Sequence, residues 1–232
     1  MIQVRRAHER GHANYGWLDT YHTFSFGSYI DPAHMNFRAL RAMNEDFIAP
    51  GKGFGTHAHK DMEIVTYVIE GELRHRDSMG NGSILRAGDF QRMSAGTGVK
   101  HSEFNASPEA PLHLYQIWLL PEQDGIAPGY EERQCAHPGT STNLTLVASR
   151  DARHGSLTIH QDVSIYLGRI AAGATVDQAM APGRCAWLQV IEGSISLDGI
   201  ELFRSDGAAI SGRAAARMTA LSDAEVMLFD LA

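Results

Sequence analysis

His57-x-His59 and His101-x-Glu103 bring together the residue types that hold a divalent metal. Successive side chains on a strand point to opposite faces, so residues two apart share a face. If the stretch Gly51-Lys-Gly-Phe-Gly-Thr-His57-Ala-His59 is extended, both imidazoles aim the same way. His101 and Glu103 do likewise from a second strand. Three neutral nitrogens and one carboxylate oxygen form a donor set suited to a transition metal. Such a set leaves one or two positions of a five- or six-coordinate ion open to a substrate oxygen or to O2.

A lone His-x-His carries little weight, because 12 histidines in 232 residues give about 0.6 such pairs by chance. The surroundings add the weight. Glycines 51, 53 and 55 let the chain turn sharply before the first pair, and Ala95-Gly-Thr-Gly98 precedes the second. The stretch between the pairs is long enough for hairpins that return the second strand to the first. Lys60 and Asp61 read as a solvated rim. Phe54 and Met93 read equally as apolar walls for an aromatic ligand and as ordinary core. His113 and Tyr115 share a strand face, as core packing or hydrogen-bonding support. His22, His75 and His160 lack a partner pattern and read as surface or ordinarily bonded residues.

The elements that must position these groups are strands. Residues 63–70 are β-branched and aromatic and stop at Gly71; 72–76 alternate, and Ser78-Met-Gly-Asn-Gly82 is a hairpin turn. Segments 83–85, 89–93, the His101 strand and 112–120 continue the series until Pro121. Residues 37–43 fit a strand or a short helix. The aromatics of 17–26 read as a cover for one end of a sheet. Short strands with Gly-rich turns and almost no helical period predict an all-β sandwich or barrel.

Residues 121–145, rich in Pro and Gly, read as a connector, and strands resume from 156 to the end. An echo supports two domains: Val68-Ile-Glu-Gly71 recurs as Val190-Ile-Glu-Gly193, 122 positions later. The same offset carries His57, His59 and Glu63 onto Ala179, Ala181 and Cys185, so the second copy loses its ligands. The expected division is a metal-binding domain over 1–130 and a degenerate domain over 131–232.

A formal charge of −7 excludes broad phosphate-neutralising contact with nucleic acid. Two cysteines in unrelated contexts do not frame a disulfide-built secreted fold. The first residues lack an apolar signal region, and no apolar run reaches the length of a membrane span. A cytoplasmic protein is the expectation.

Gly51-x5-His57-x-His59-x3-Glu63 followed by Gly98-x2-His101-x3-Asn105 resembles the paired motifs of the cupin superfamily. Seven residues separate Glu63 from Gly71 where six are usual, and Gly96 stands where the second motif usually has proline. Those departures, with the acid supplied by His101-Ser-Glu103, resemble the pirin-like bicupins. The resemblance implies two tandem jelly-roll barrels, with His57, His59, His101 and Glu103 as ligands and Glu63 a neighbour that binds no metal. It implies one divalent ion, Fe(II) first, with Ni, Cu, Mn, Co and Zn also suited to the donors. It further implies quercetin 2,3-dioxygenase activity on a flavonol and O2, with Glu103 as the catalytic base. The alternative is a non-catalytic, metal-dependent regulatory module with a protein partner.

Overall fold

The computed structural model describes residues 1–135 and 143–232, so Pro138 and Gly139 of the expected connector lie outside the described residues. The fold is all-β, as the sequence predicts. Its first strands are β1 (Ile2–Arg5), β2 (Gly11–Asn14), β3 (Leu18–His22), β4 (Leu40–Ile48), β5 (Gly53–His59) and β6 (Glu63–Glu70). Next come β7 (Glu72–Asp77), β8 (Gly82–Arg86), β9 (Asp89–Ser94), β10 (Val99–Asn105), β11 (Leu112–Leu119) and β12 (Gly129–Gln134). After β13 (Thr145–Ser149) and β14 (Leu157–Thr158) follow β15 (Val163–Ile170), β16 (Thr175–Ala179), β17 (Cys185–Glu192) and β18 (Ser194–Leu197). The chain closes with β19 (Ile200–Phe203), β20 (Gly207–Ser211), β21 (Ala215–Ala220) and β22 (Ala224–Leu231). No helix among the described residues is long and apolar enough to cross a membrane.

Two compact units are formed. One holds residues 11–135 and 157–161; the other holds 1–10, 143–156 and 162–232. Strand β1 therefore joins the C-terminal unit, pairing antiparallel with β20 from Ile2↔Ile210 to Arg5↔Gly207. Residues 129–134, within the stretch read as a connector, form strand β12 on β9. Residues 37–43 resolve as a bridge and the start of β4, which continues through Asn44-Glu-Asp-Phe-Ile48.

In the N-terminal unit one sheet runs β12-β9-β6-β11-β4-β3-β2 and the other β5-β10-β7-β8. Side chains from both sheets meet between them. Leu18, Ile48, Val68, Leu73, Leu85, Leu112 and Leu114 form one buried apolar cluster, and Ile64, Met93, Ala95 and Val99 form another. Buried polar groups complete the interior: Asn44, Asp46, Thr66, Gln91, His101 and Glu103. The C-terminal unit lays β1-β20-β17-β22-β15-β13 against β16-β21-β18-β19. Its core includes an apolar cluster with Val176, Leu188, Val190, Ile195, Ala216, Met218 and Leu228. Ala179, offset-matched to His57, pairs with Ala215 of β21. The echoed glycines sit at equivalent hairpins: Gly71 (φ +85) ends β6 and Gly193 (φ +74) ends β17.

The glycines before His57 act differently from one another. Gly51 (φ +65) makes the turn, whereas Gly53 lies inside β5, where a Cβ would overlap the Glu103 carbonyl oxygen and Phe104 Cα of β10. Gly53 thus permits close approach of the two strands that carry His57, His59, His101 and Glu103. Gly53→Ala is expected to destabilise the fold by about 1–3 kcal/mol by forcing β5 away from β10, read as a lower denaturation midpoint, with weaker metal retention in the same variant.

Candidate metal centre

Strands β5 and β10 are antiparallel, with His101 opposite His57 and Val99 opposite His59. A bulge between His101 and Glu103 shifts the register there, so Glu103 pairs with Phe54. One ring nitrogen from each of His57, His59 and His101 lies within 4.8 Å of the others. His57 Nδ1–H donates to the Gly55 carbonyl oxygen at 2.8 Å. That bond leaves the His57 Nε2 lone pair facing His101 Nε2 at 3.1 Å. Two nitrogens each about 2.1 Å from one ion and about 95° apart sit at that separation. Burial, then the neighbouring His101 and His57, push the His59 imidazole down to about 4. Burial, then His57 and His75, push His101 down to about 3. Both rings are neutral at physiological pH, the form that binds metal.

Glu103 is almost completely buried. Gln91 Nε2 donates to its Oε1 at 2.6 Å and Gln116 Nε2 to its Oε2 at 2.7 Å. Gln91 also donates to Thr66 Oγ1 at 3.1 Å and accepts from Tyr130 Oη at 3.1 Å. Among the described residues no lysine or arginine pairs with Glu103. Amide donors fix the carboxylate but do not neutralise it, and the His59 and His101 imidazoles are neutral. Glu103 lies in a close group with His101, the histidine shared with the His57–His59–His101 cluster, and this donor set fits a divalent cation.

Glu103 also forms a second close group, with His101 and His75. His75 is fully buried, stacks on Tyr130 with ring centroids 4.6 Å apart, and reaches Asp77 Oδ2 at 3.4 Å. It is an interior residue, not a surface one. Glu63, close in sequence to the histidine pair, is also fully buried, and its Oε2 accepts the His160 backbone N–H at 3.1 Å. It belongs to neither close group. Lys60 is exposed, as a rim residue should be, and Asp61 Oδ1 accepts the Gly125 N–H at 2.6 Å.

His57 and His59 open onto a cavity of about 310 Å³, near the small end of the range for small-molecule sites. Its apolar walls include Leu18, Phe26, Phe54 and Trp118; its polar walls include Thr20, His22, Asn44, Asp46 and Gln116. Trp118 meets His59 edge-on at 5.0 Å and Phe26 edge-on at 5.0 Å. Of the two apolar wall candidates, Phe54 lines the cavity and Met93 joins the core. Tyr15, Leu18, Phe26 and Trp118 were not expected on these walls. Alternation along β11 turns Gln116 and Trp118 inward, so His113 and Tyr115 face the other way. There His113 bonds Glu45 at 3.0 Å and stacks on Phe47 at 4.1 Å.

The Pirin family model matches residues 3–119, and a second model, described as a quercetinase C-terminal cupin domain, matches residues 146–231. The chain is 51% identical over 231 residues to a quercetin 2,3-dioxygenase of Escherichia coli K12, covering 100% of this chain and 99% of that protein. It is 39% identical over 233 residues to a pirin-like protein of Caulobacter vibrioides, covering both chains fully. The crystal structure of the Escherichia coli bacterial pirin YhhW in complex with nickel(II) superposes with a TM-score of 0.96 at 51% identity, covering 100% of this chain and 99% of that one. The strands, the buried carboxylate and these relatives lead to one conclusion: the chain belongs to the pirin family and is built from cupin domains.

Proposed function

We propose that this protein is a metal-dependent dioxygenase that cleaves a flavonol such as quercetin with O2, holding one divalent ion through His57, His59, His101 and Glu103. The observation that carries this reading is the His57–His59–His101 cluster, which shares His101 with a close group containing the buried, amide-clamped Glu103 and opens through His57 and His59 onto an aromatic-walled cavity. The quercetin 2,3-dioxygenase name of the Escherichia coli relative supports the substrate class. Fe(II) suits the donors, and the nickel(II) complex of the Escherichia coli pirin brings Ni(II) beside it.

When bound, the ion supplies Lewis acidity toward substrate oxygens and, where redox-active, a path for electrons to O2. The protein supplies the rest. Phe54, Phe26 and Trp118 give flat apolar surface for a planar ring system and keep water from it. Glu103 takes the proton of the flavonol 3-hydroxyl, the step that turns the phenol-like ligand into an anion ready for oxidation. Gln91 and Gln116 hold both carboxylate oxygens, so the base is aimed before substrate arrives.

Metal-replete protein is expected to consume O2 with quercetin, and Glu103→Gln to lower kcat by about 100-fold or more. An oxygen electrode reads both. Wild type that binds metal and flavonol without oxygen uptake is instead a metal-dependent binding module.

Acid is expected to release the metal late. Folding holds the His59 and His101 pKa values below that of a free imidazole, so the unfolded chain takes up protons first. Their contribution to folded-state stability is full above about 6.5, and it is lost as pH falls through about 4 and about 3. Proton competition for these ligands follows the same window, so metal persists through mildly acidic pH and leaves at about 5 to 3. Metal analysis after dialysis at stepped pH checks this; release centred near 6.5 contradicts it.

A further inference from the structure

The cavity has a carboxyl that the proposed chemistry does not use. Asp46 lies on the inward face of β4, opposite Thr20 of β3, and lines the same cavity as His57 and His59. Thr20 Oγ1–H donates to Asp46 Oδ1 at 2.5 Å. Among the described residues no other hydrogen bond and no cation meets this carboxyl, although it is almost completely buried. Burial pushes it up to about 7, so near neutrality it serves as donor or acceptor. One rung away, Asn44 pairs with Gln116, the residue that clamps Glu103. Two residues along a strand is about 7 Å, which a fused or linked aromatic ring spans.

We propose that Asp46, seated by Thr20, is a specificity-determining residue that binds a hydroxyl on an outer ring of an aromatic ligand whose chelating oxygens face the His57–His59–His101–Glu103 cluster. The substrate class narrows accordingly, from any flavonol to one hydroxylated beyond its chelating pair. The proposal rests on the flavonol reading for the ligand's orientation but not for its turnover. A buried carboxyl left with one partner discriminates strongly, because a ligand lacking the hydroxyl strands it.

The test is equilibrium binding to nickel-loaded protein without oxygen, read by quenching of tryptophan fluorescence, with Trp118 in the cavity wall. Quercetin and 3-hydroxyflavone, which keeps only the chelating pair, are compared. Wild type is expected to prefer quercetin by about 10- to 100-fold. In Asp46→Leu the ratio is expected to fall to about 3-fold or less, with quercetin bound more weakly and nickel content held; Asp46→Asn keeps part of the preference. An unchanged ratio in Asp46→Leu, or no preference in wild type, overturns the proposal. If Asp46→Leu does not fold, Thr20→Val takes its place: a reduced ratio supports the proposal and an unchanged one overturns it. Absent O2 uptake beside an intact, Asp46-dependent preference removes the dioxygenase reading and leaves this one standing.

Discussion

A carboxylate taken out of water must be compensated, and in this protein that requirement falls on Glu103. Isolated burial of such a charge is prohibitive, and neutral donors supply only part of what hydration gave. Gln91 and Gln116 deliver those donors from β9 and β11, two strands of the larger sheet. Glu103 itself belongs to β10 of the smaller sheet. The hydrogen bonds therefore span the sandwich interior, and the spacing of the two sheets is part of the site. Gly53, by letting β5 lie close on β10, sets the remaining dimension.

The two halves of the chain show what such a site displaces. The C-terminal unit packs an extended apolar cluster between its sheets, and alanines stand at the strand pair that corresponds to the histidine-bearing pair of the N-terminal unit. The N-terminal unit gives that space to buried polar groups and divides its apolar contacts into separate clusters. The contrast is physical: one unit gives its interior to hydrogen-bonded polar groups, the other to close-packed apolar burial. Gly71 and Gly193 survive in both because each ends a strand with positive φ and packs against a backbone carbonyl, of Pro111 and of Asp223, which a side chain would strike.

Local pattern made much of this legible. The strands announced themselves by β-branched runs and glycine turns, and the His-x-His and His-x-Glu spacings place their side chains on shared faces. What the pattern left hidden were partners brought by pairing across strands. Gln91 and Gln116 are ordinary amides in sequence, and only the sheet-to-sheet spacing reveals their target. Asp46 was obscured because the start of β4 fits either period; once the strand is fixed, Asn44-x-Asp46-x-Ile48 is an inward-facing row. His75 looked isolated because its stacking partner Tyr130 lies far along the chain, although Asp77, two residues on in the same strand, shares its face. The β1 exchange was invisible for the same reason: four residues carry no mark of a partner far along the chain.

That exchange has a consequence in time. Residues 2–5 are made roughly 200 residues before their partners, 207–210, about 10–40 s earlier at ordinary translation rates. Through that interval the N-terminal unit can close around its site while the leading strand waits unpaired. The edge of β20 is sealed by a strand made long before it, so the C-terminal unit is completed only by a pairing that reaches back across about 200 residues.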